Sequence, residues 1–243
     1  MRKILFLGTG ASGGTPGIGK SKRLESSVLI KSNKNILIDV TRNFNEQANN
    51  FHDLGAILIT HGHMDACGGL KQLEIWSQKH NLDSIPLYAH QKTIETIRKK
   101  FKSIKSIQFF PILEDKIFNI GSWKISAYQV PHSKDPRFPA FSWQIKGLKT
   151  FVFASDISEL TKGFKKFCQG ADVLIIDGAT WKRKIFTHLR IDKDLPELCR
   201  WNVGKIILTQ IGKSVPAHEI LEKEVRKICS RAIPAYDSME LLM

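Results

Sequence analysis

The segment THGHMD, at 60–65, directly follows the apolar run AILI at 56–59. It places His61, His63 and Asp65 on alternate residues where a predicted strand gives way to a helix. Two imidazoles and a carboxylate spaced in this way can converge on one point. Imidazole nitrogen suits zinc and other borderline divalent metals, and a carboxylate adds a hard, charged oxygen. A lone histidine is usually a structural or surface residue, but this combination predicts a metal site.

Three further candidate groups follow or precede regular elements later in the chain. VPHS places His132 at the end of one apolar run, and FVFASD places Asp156 at the end of another. FTHL offers His188 just before a predicted helix. Each would be weak evidence alone. Their order and their positions at strand ends favour one shared cleft.

Apolar and β-branched runs alternate with stretches of helical character along the chain. The predicted strands lie at 3–7, 27–31, 35–40, 56–60, 86–89, 123–130, 141–146, 150–155, 172–177 and 205–209. The predicted helices lie at 43–52, 66–80, 91–102, 158–168, 193–201 and 217–230. Two strand-rich halves with helices outside predict an α/β fold, a four-layer αββα sandwich in one domain over 1–243.

The series HxHxD, VPHS, SD and a late histidine resembles the metallo-β-lactamase superfamily. The opening LGTGASGG, the LIDV that ends the third strand and the stretch GAILITHGHMDACGGL resemble its ribonuclease Z and phosphoribosyl cyclic phosphodiesterase branch. The resemblance spans nearly the whole chain and implies the αββα fold. It also implies that His61, His63 and His132 hold one metal, with Asp156 completing the set and bridging towards a second.

The sequence departs from the family pattern at two positions. The family motif HxHxDH ends here in Ala66, and Gln210 stands where the family has a histidine after its last core strand. Both changes fall on the second metal site, which keeps Asp65, Asp156 and the Gln210 amide oxygen. A site without imidazole binds zinc poorly. We therefore predict one divalent metal per chain, zinc ahead of manganese or iron, and a weak or absent second site.

These groups predict a hydrolytic mechanism. An ion held by three imidazoles and a carboxylate can lower the pKa of its water towards about 7. The resulting hydroxide would attack phosphorus or an acyl carbon. Asp65 would orient that water and take its proton. His188 would protonate the leaving oxygen or stabilise developing negative charge. Lys134 and Arg137, in the loop after His132, could pair with a substrate phosphate, with a solvated loop as the alternative.

The chain is strongly basic, with 37 Lys and Arg against 23 Asp and Glu and a formal net charge of +14. Basic clusters lie at 20–23, 98–100, 162–166 and 182–184. Such a field attracts phosphates, nucleic acid or acidic metabolites, although a solvated surface explains it equally well. Trp181, beside the last cluster, could stack on a base, with core packing as the alternative.

The spacing of two site residues bears on the substrate. Ribonuclease Z enzymes of the long-arm type insert a tRNA-gripping arm between the equivalents of His132 and Asp156. Only 23 residues (156 − 132 − 1) separate them here, which leaves no room for an arm. The spacing therefore favours a small anionic phosphodiester over pre-tRNA.

A glycine motif near the start resembles a different kind of site. GTGASG, at 8–13, matches the GxGxxG pattern of dinucleotide-binding folds, and Asp39 ends a later strand. That pattern needs a helix immediately after the glycines, but GTPGIG, at 14–19, cannot sustain one. We expect no nicotinamide cofactor, and a glycine-rich loop beside the site.

Cysteine usage and apolar runs bear on the cellular location. Cys67, Cys168, Cys199 and Cys229 show no CxxC spacing and are expected to be buried free thiols, with Cys67 beside the metal motif. The N-terminal apolar run is shorter than a secretory signal requires, and no run approaches the roughly 20 residues of a membrane helix. These observations predict a cytoplasmic protein without membrane contact. A homodimer stays open.

Three functions remain in competition. The leading one is a phosphodiesterase acting on a small or cyclic phosphodiester. The second is hydrolysis of a lactone, ester or thioester, because the same site can polarise a carbonyl. The third is a non-catalytic relative that keeps one metal for structure and binds nucleic acid through its basic surface. Retention of Asp65 and His188 argues against the third, since neither is needed to hold the first metal.

Overall fold

The structure is a computed structural model that describes residues 2–82 and 84–242. Its strands are β1 Lys3–Gly8, β2 Ser27–Lys31, β3 Ile36–Ile38, β4 Ala56–Leu58, β5 Ile85–His90, β6 Ile107–Ile112, β7 Ile117–Ile120, β8 Trp123–Val130, β9 Ala140–Lys146, β10 Thr150–Ala154, β11 Val173–Asp177, β12 Lys205–Thr209, β13 Ala232–Pro234 and β14 Glu240–Leu242. Its helices are α1 Phe44–Gln47, α2 Met64–Cys67, α3 Leu70–Lys79, α4 Gln91–Lys100, α5 Lys162–Cys168, α6 Ile191–Leu198 and α7 His218–Ile228.

The strands form two seven-stranded mixed sheets. The first has the order β14-β1-β2-β3-β4-β5-β6, and the second has the order β13-β12-β11-β10-β9-β8-β7. In the first sheet β3 to β6 run parallel, and in the second β10 to β13 run parallel. The strands on the other side of each sheet pair antiparallel. The C-terminal strand β14 returns to pair with β1 in the first sheet.

Side chains alternate between two apolar layers along each central strand, because successive residues of a strand point to opposite faces. Ile36 and Ile38 enter a cluster shared with Phe151 and Phe153 of the other sheet, whereas Leu37 enters the cluster on the outer face. A third cluster joins the outer face of the second sheet to residues of α5, α6 and α7. The protein thus has four layers, with the two sheets packed face to face and a layer of helices on the outer face of each. The predicted αββα sandwich is confirmed.

Four strands were not predicted from the sequence. They are the sheet-edge strands β6, β7, β13 and β14, and three of them have four residues or fewer. β6 contains Pro111, and β7 exposes the large apolar side chain of Ile117. An edge strand forms backbone hydrogen bonds with a neighbour on one side only. Its sequence therefore need not show the buried apolar run of a central strand. Their conformation is defined by the neighbour that they pair with.

The expectation of four free thiols is wrong for two cysteines. Cys199, at the C-terminus of α6, and Cys229, at the C-terminus of α7, form a disulfide with their Cα atoms 5.7 Å apart. Cys67 and Cys168 are free and buried, as expected. The pairing could not be seen in the sequence, because it depends on two helix ends meeting 30 residues apart.

The functional region lies where strands from both sheets end. The loop after β4 and the start of β9 are joined by a hydrogen bond from the Phe141 amide to the Thr60 carbonyl, 2.8 Å long. The glycine-rich segment after β1 continues into a three-residue helical turn at Gly19–Ser21, so the helix that a dinucleotide site requires does not follow. Among the described residues, no helix is long and apolar enough to cross a membrane.

Candidate metal centre

The HxHxD segment turns from strand to helix at the centre of the site. His61 comes three residues after β4, His63 is the residue before α2, and Asp65 lies in the first turn of α2. This turn brings His61 Nε2 to 3.7 Å from Asp65 Oδ1. His61 is almost fully buried, with an exposed fraction of 1%.

The second sheet supplies His132 after β8 and Asp156 after β10. His132 Nε2 lies 3.4 Å from His63 Nδ1 and 3.9 Å from Asp156 Oδ1. Asp156 Oδ1 is also 4.0 Å from His61 Nε2. The ligand atoms of the three histidines lie within 4.8 Å of one another, as do those of His61, Asp65 and Asp156. The structure therefore brings together all the residues that the sequence assigns to the first metal.

The outward nitrogens of two of these histidines have hydrogen-bond partners, which bear on their tautomers. His132 Nδ1 lies 2.9 Å from the Thr187 carbonyl, which can only accept, so Nε2 keeps its lone pair. Thr60 Oγ1 lies 2.8 Å from Asp39 Oδ2 and 2.9 Å from His61 Nδ1. When Asp39 is ionised, Thr60 donates to it and accepts the proton of His61 Nδ1. The lone pair of His61 Nε2 is then also free to bind a metal.

A divalent metal fits this arrangement. His61 Nε2 is a buried nitrogen that has no hydrogen-bond partner among the described residues, and such orphaned groups are costly in a folded protein. Burial lowers the pKa of His61 to about 3, with Asp156 opposing, so the imidazole is neutral at ordinary pH. Burial also lowers the pKa of His63. Neutral imidazoles with converging lone pairs are zinc ligands.

Gln210 lies against both carboxylates, and on Asp156 it contacts the oxygen that also faces His61 and His132. Its Nε2 atom donates to Asp156 Oδ1 at 3.0 Å and to Asp65 Oδ2 at 3.3 Å. Carboxylate oxygens only accept hydrogen bonds, so the amide nitrogen must face them. That the amide oxygen of Gln210 could serve a weak second metal site stays a prediction. Gln210 is buried, and its φ of 57° lies in the left-handed region.

The residues that follow Asp65 in α2 bring no replacement ligand. Ala66 is buried and has only a methyl group. Cys67 donates its thiol to the His63 carbonyl at 3.2 Å, and burial raises the pKa of the thiol to about 12. Among the described residues, Cys67 joins no group of potential ligands.

His188 is held at the site by a carboxylate that the sequence analysis missed. Asp177 is the last residue of β11 and is fully buried. Its Oδ2 atom lies 2.6 Å from His188 Nδ1. Burial lowers the pKa of His188, but the ion pair with Asp177 overrides burial and raises that pKa to about 9. The His188 ring lies 5.4 Å from the His132 ring, centroid to centroid. The signal for Asp177 is the run VLIID, an apolar strand that ends in a carboxylate as FVFASD does.

The two carboxylates at the centre differ in protonation. Burial and the neighbouring Asp156 raise the pKa of Asp65 to about 6. Burial also disfavours the charged form of Asp156, but His61, His132 and His188 together lower its pKa below the ordinary value. Asp156 is therefore the permanent anion of the pair, and Asp65 can exchange a proton near neutral pH.

The predicted phosphate ligands lie on the rim of the site. Arg137 is exposed and pairs with Asp135, with its Nε atom 2.9 Å from both carboxylate oxygens. Lys134 Nζ lies 5.6 Å above the ring of Phe186. A cleft of about 660 Å³ opens beside them, and its lining includes His132, Ser133, Phe138, His90, Lys92 and Tyr128. Arg137 is thus neutralised by its neighbour, whereas Lys134 is not paired with a carboxylate among the described residues.

Three imidazoles and two carboxylates at the strand ends of an αββα sandwich define a metal site of the metallo-β-lactamase type. A family model described as the β-lactamase superfamily domain matches residues 34–224, and the chain belongs to that superfamily. This confirms the resemblance inferred from the motifs.

Three curated relatives match along much of the chain. An octanoyltransferase from Porphyromonas gingivalis is 23% identical over 99% of this chain, which spans about half (51%) of that protein. The exodeoxyribonuclease YycJ from Bacillus anthracis is 24% identical over 76% of this chain and 84% of its own length. A ribonuclease Z from a Bradyrhizobium species is 22% identical over 94% of this chain and 95% of its own length.

Solved structures share the fold over the whole chain. A diphosphatase from the PhnP family superposes with a TM-score of 0.87 at 24% identity, covering 99% of this chain and 97% of its own. Zn²⁺-bound PqqB from Methylobacterium extorquens superposes with a TM-score of 0.83 at 16% identity, covering 99% of this chain and 100% of its own. Relatives of the predicted ribonuclease Z and PhnP-like branch are thus among the matches.

Proposed function

We propose that the chain is a metal-dependent phosphodiesterase acting on a small or cyclic phosphodiester. The observation that carries the proposal is the three-imidazole cluster together with His188, which Asp177 holds beside His132 and Asp156. The names of the relatives, which include two nucleases and a diphosphatase, support phosphoryl chemistry. A merely structural metal site would not need a buried carboxylate that keeps His188 protonated.

The metal would be held by His61, His63 and His132, with Asp156 as the fourth ligand. When bound, a divalent ion supplies an activated water and neutralises the charge that develops on the phosphoryl oxygens. We propose zinc, because neutral imidazoles dominate the ligand set.

The chain's own residues would move the protons. Asp65 has a pKa of about 6, which suits a base that must accept a proton near neutral pH. His188, with its pKa raised to about 9, is protonated at neutral pH and can donate from Nε2 to a leaving oxygen. Asp177 holds the ring through Nδ1, so Nε2 is the atom left to face the substrate. Lys134, on the rim, would attract the phosphate.

We further propose that the site holds one tightly bound ion per chain. A second ion would have no imidazole ligand, because Ala66 has only a methyl group and Gln210 turns its Nε2 donor towards Asp65 and Asp156. Elemental analysis of the purified protein is expected to give about one zinc per chain. Two tight ions in the unmodified protein would contradict this proposal.

A pair of variants tests the part played by Gln210. The double change Ala66→His with Gln210→His restores both imidazoles of the family pattern and should create a second tight site. Histidine is among the residues that tolerate a positive φ, so the backbone at 210 need not change. Gln210→Ala removes the amide without adding a ligand and serves as the control. It should leave the tight-ion count at one.

A second candidate function is hydrolysis of an ester or thioester. One observation favours it, namely the match to half of an octanoyltransferase, a protein named for acyl transfer. The same groups could act on a carbonyl carbon. The rim favours an anionic substrate, because it presents Lys134 and the polar cleft beside His132.

The test is a panel of substrates under identical conditions. The metal-loaded protein should hydrolyse methyl 4-nitrophenyl phosphate and a cyclic phosphodiester faster than a lactone or an octanoyl thioester. His188→Asn should lower turnover and keep the metal. Activity confined to the lactone or thioester would overturn the proposal in favour of acyl hydrolysis. Retained metal without any activity would favour the non-catalytic alternative.

A cytoplasmic location and a homodimer remain predictions. Cell fractionation and light scattering of the purified protein test the two predictions separately.

A further inference from the structure

An aromatic ring stands exposed at the mouth of the metal centre. Phe186 has an exposed fraction of 74% and is the one aromatic residue among the large apolar side chains that the described part of the chain leaves exposed. Its neighbour Ile185 is 36% exposed. Trp181, the aromatic residue that the sequence offered for stacking, is instead half-buried against the core of the second sheet.

Two lysines from different loops place their ammonium groups over this ring. Lys184 Nζ lies 5.0 Å from the ring centroid and Lys134 Nζ lies 5.6 Å from it. Neither lysine forms an ion pair with a carboxylate among the residues that the structure describes. Both ammonium groups are therefore available to an anion that approaches the ring.

The ring is tied to the metal centre by the backbone. Phe186 precedes His188 by two residues, and the intervening Thr187 carbonyl accepts the hydrogen bond from His132 Nδ1. Lys134 follows His132 by two residues. The loop that carries Lys134 therefore begins at His132, and the loop that carries Phe186 ends at His188. The ring is therefore attached, within two residues of chain, to His188 at the proposed active site.

An exposed ring between two ammonium groups matches one kind of ligand, a flat aromatic base linked to phosphate. A nucleobase that stacks on the ring would displace the ammonium groups from it, and these groups would then pair with the adjoining phosphates. Lys182 and Arg183, in the same loop, add positive charge. A lactone or a sugar phosphate without a base would leave the ring in water.

We propose that Phe186, Lys134 and Lys184 form a stacking platform for a nucleobase, so that the phosphodiester cleaved at the metal centre belongs to a nucleotide or a single-stranded nucleic acid. The proposal rests on the phosphodiesterase function proposed above. It adds a base-binding subsite on the side of the site that carries His188.

Matched substrates test the platform in the metal-loaded enzyme. The first is thymidine 5′-(4-nitrophenyl phosphate), and the second is methyl 4-nitrophenyl phosphate, which has the same leaving group and no base. Phe186→Ala should raise KM about tenfold or more for the thymidine substrate, which is the effect of removing one stacked base. It should leave KM for the methyl ester within about twofold. Phe186→Trp should restore the lower KM, and Ile185→Ala is the control for disturbance of the loop.

A binding measurement separates this proposal from the proposed activity. The probes are a fluorescein-labelled oligothymidylate and an abasic chain of equal length, so that only the bases differ. Unmodified protein should bind the oligothymidylate at least about fivefold more tightly, and Phe186→Ala should abolish that difference. Lys184→Gln should reduce binding of both chains at low salt.

The outcomes are distinct. If neither phosphodiester is hydrolysed but the base-dependent binding is found, the platform stands and the proposed activity fails. If both probes bind equally tightly, or if Phe186→Ala behaves as Ile185→Ala does, the platform is refuted even when the methyl ester is hydrolysed.

Discussion

Replacing Thr60 by valine would test the hydrogen-bond chain that orients His61. Valine keeps the branched shape of threonine and removes the hydroxyl group that joins Asp39 to His61. Thr60 is buried, with an exposed fraction of 1%, so water cannot take the place of that hydroxyl without local opening. The His61 ring would then be free to carry its proton on Nε2, the atom that faces the metal.

The size of the effect follows from the partners that are lost. Mutation of a group that orients a metal ligand typically reduces metal affinity by about 10–100-fold. Asp39 Oδ2 and His61 Nδ1 would both lose a buried partner, and each such loss costs about 1–3 kcal/mol of the free energy of unfolding. Burial already raises the pKa of Asp39 well above its ordinary value, with the two Thr60 hydrogen bonds opposing. The metal-free variant should therefore be less stable than the metal-free parent.

Chelator competition would measure zinc affinity, and chemical denaturation of the metal-free proteins would measure stability. Thr60→Ser keeps the hydroxyl group and should bind zinc within a few-fold of the parent. Wild-type zinc affinity in Thr60→Val would refute the claim that this hydroxyl fixes the His61 tautomer. A loss of affinity in Thr60→Ser equal to that in Thr60→Val would refute it as well, because packing rather than hydrogen bonding would then explain both.

Three further outcomes are expected. His132→Ala should remove the tightly bound metal, since it deletes one of three imidazoles, and full metal content by elemental analysis would disprove its assignment. Asp177→Asn should lower kcat about 100-fold or more with the metal retained. The pKa of His188 is raised to about 9, so its protonated form is lost above that pH in the parent, and the alkaline limb of the pH–kcat profile should move to lower pH in the variant. Mass spectrometry without reductant should find Cys199 and Cys229 joined, and Cys229→Ser should lower the midpoint of thermal unfolding.

The strands and the ligands were predictable from the sequence for one shared reason. Central strands of a sheet buried on both faces need continuous apolar runs, and polar residues can appear only where such runs end. His61, His132 and Asp156 therefore mark strand ends and ligand positions at once. The same rule finds Asp177 in VLIID, although the sequence alone did not show which imidazole it would hold.

The features that the sequence could not give depend on relative position in space. The disulfide requires the ends of α6 and α7 to meet, and no spacing rule predicts that. The aromatic residue at the mouth is Phe186 rather than Trp181, because Trp181 packs against the second sheet's core while the loop carries Phe186 outward. Both residues lie in the same seven-residue basic stretch at 181–187, so composition cannot distinguish them.

The charges at the centre explain why one ion is sufficient. Asp65 and Asp156 supply two negative charges when both are ionised, and His188 with Asp177 forms a neutral ion pair. One divalent ion cancels the two carboxylates, and a second would leave buried positive charge without a partner, which is costly. Charge alone does not decide the count, because an imidazole at 210 would be as neutral as the amide. What decides it is the ligand set, since Gln210 presents N–H hydrogens, and no lone pair, to the two carboxylates. Replacing that donor by an acceptor, rather than simply deleting it, is therefore the change that should alter the metal count.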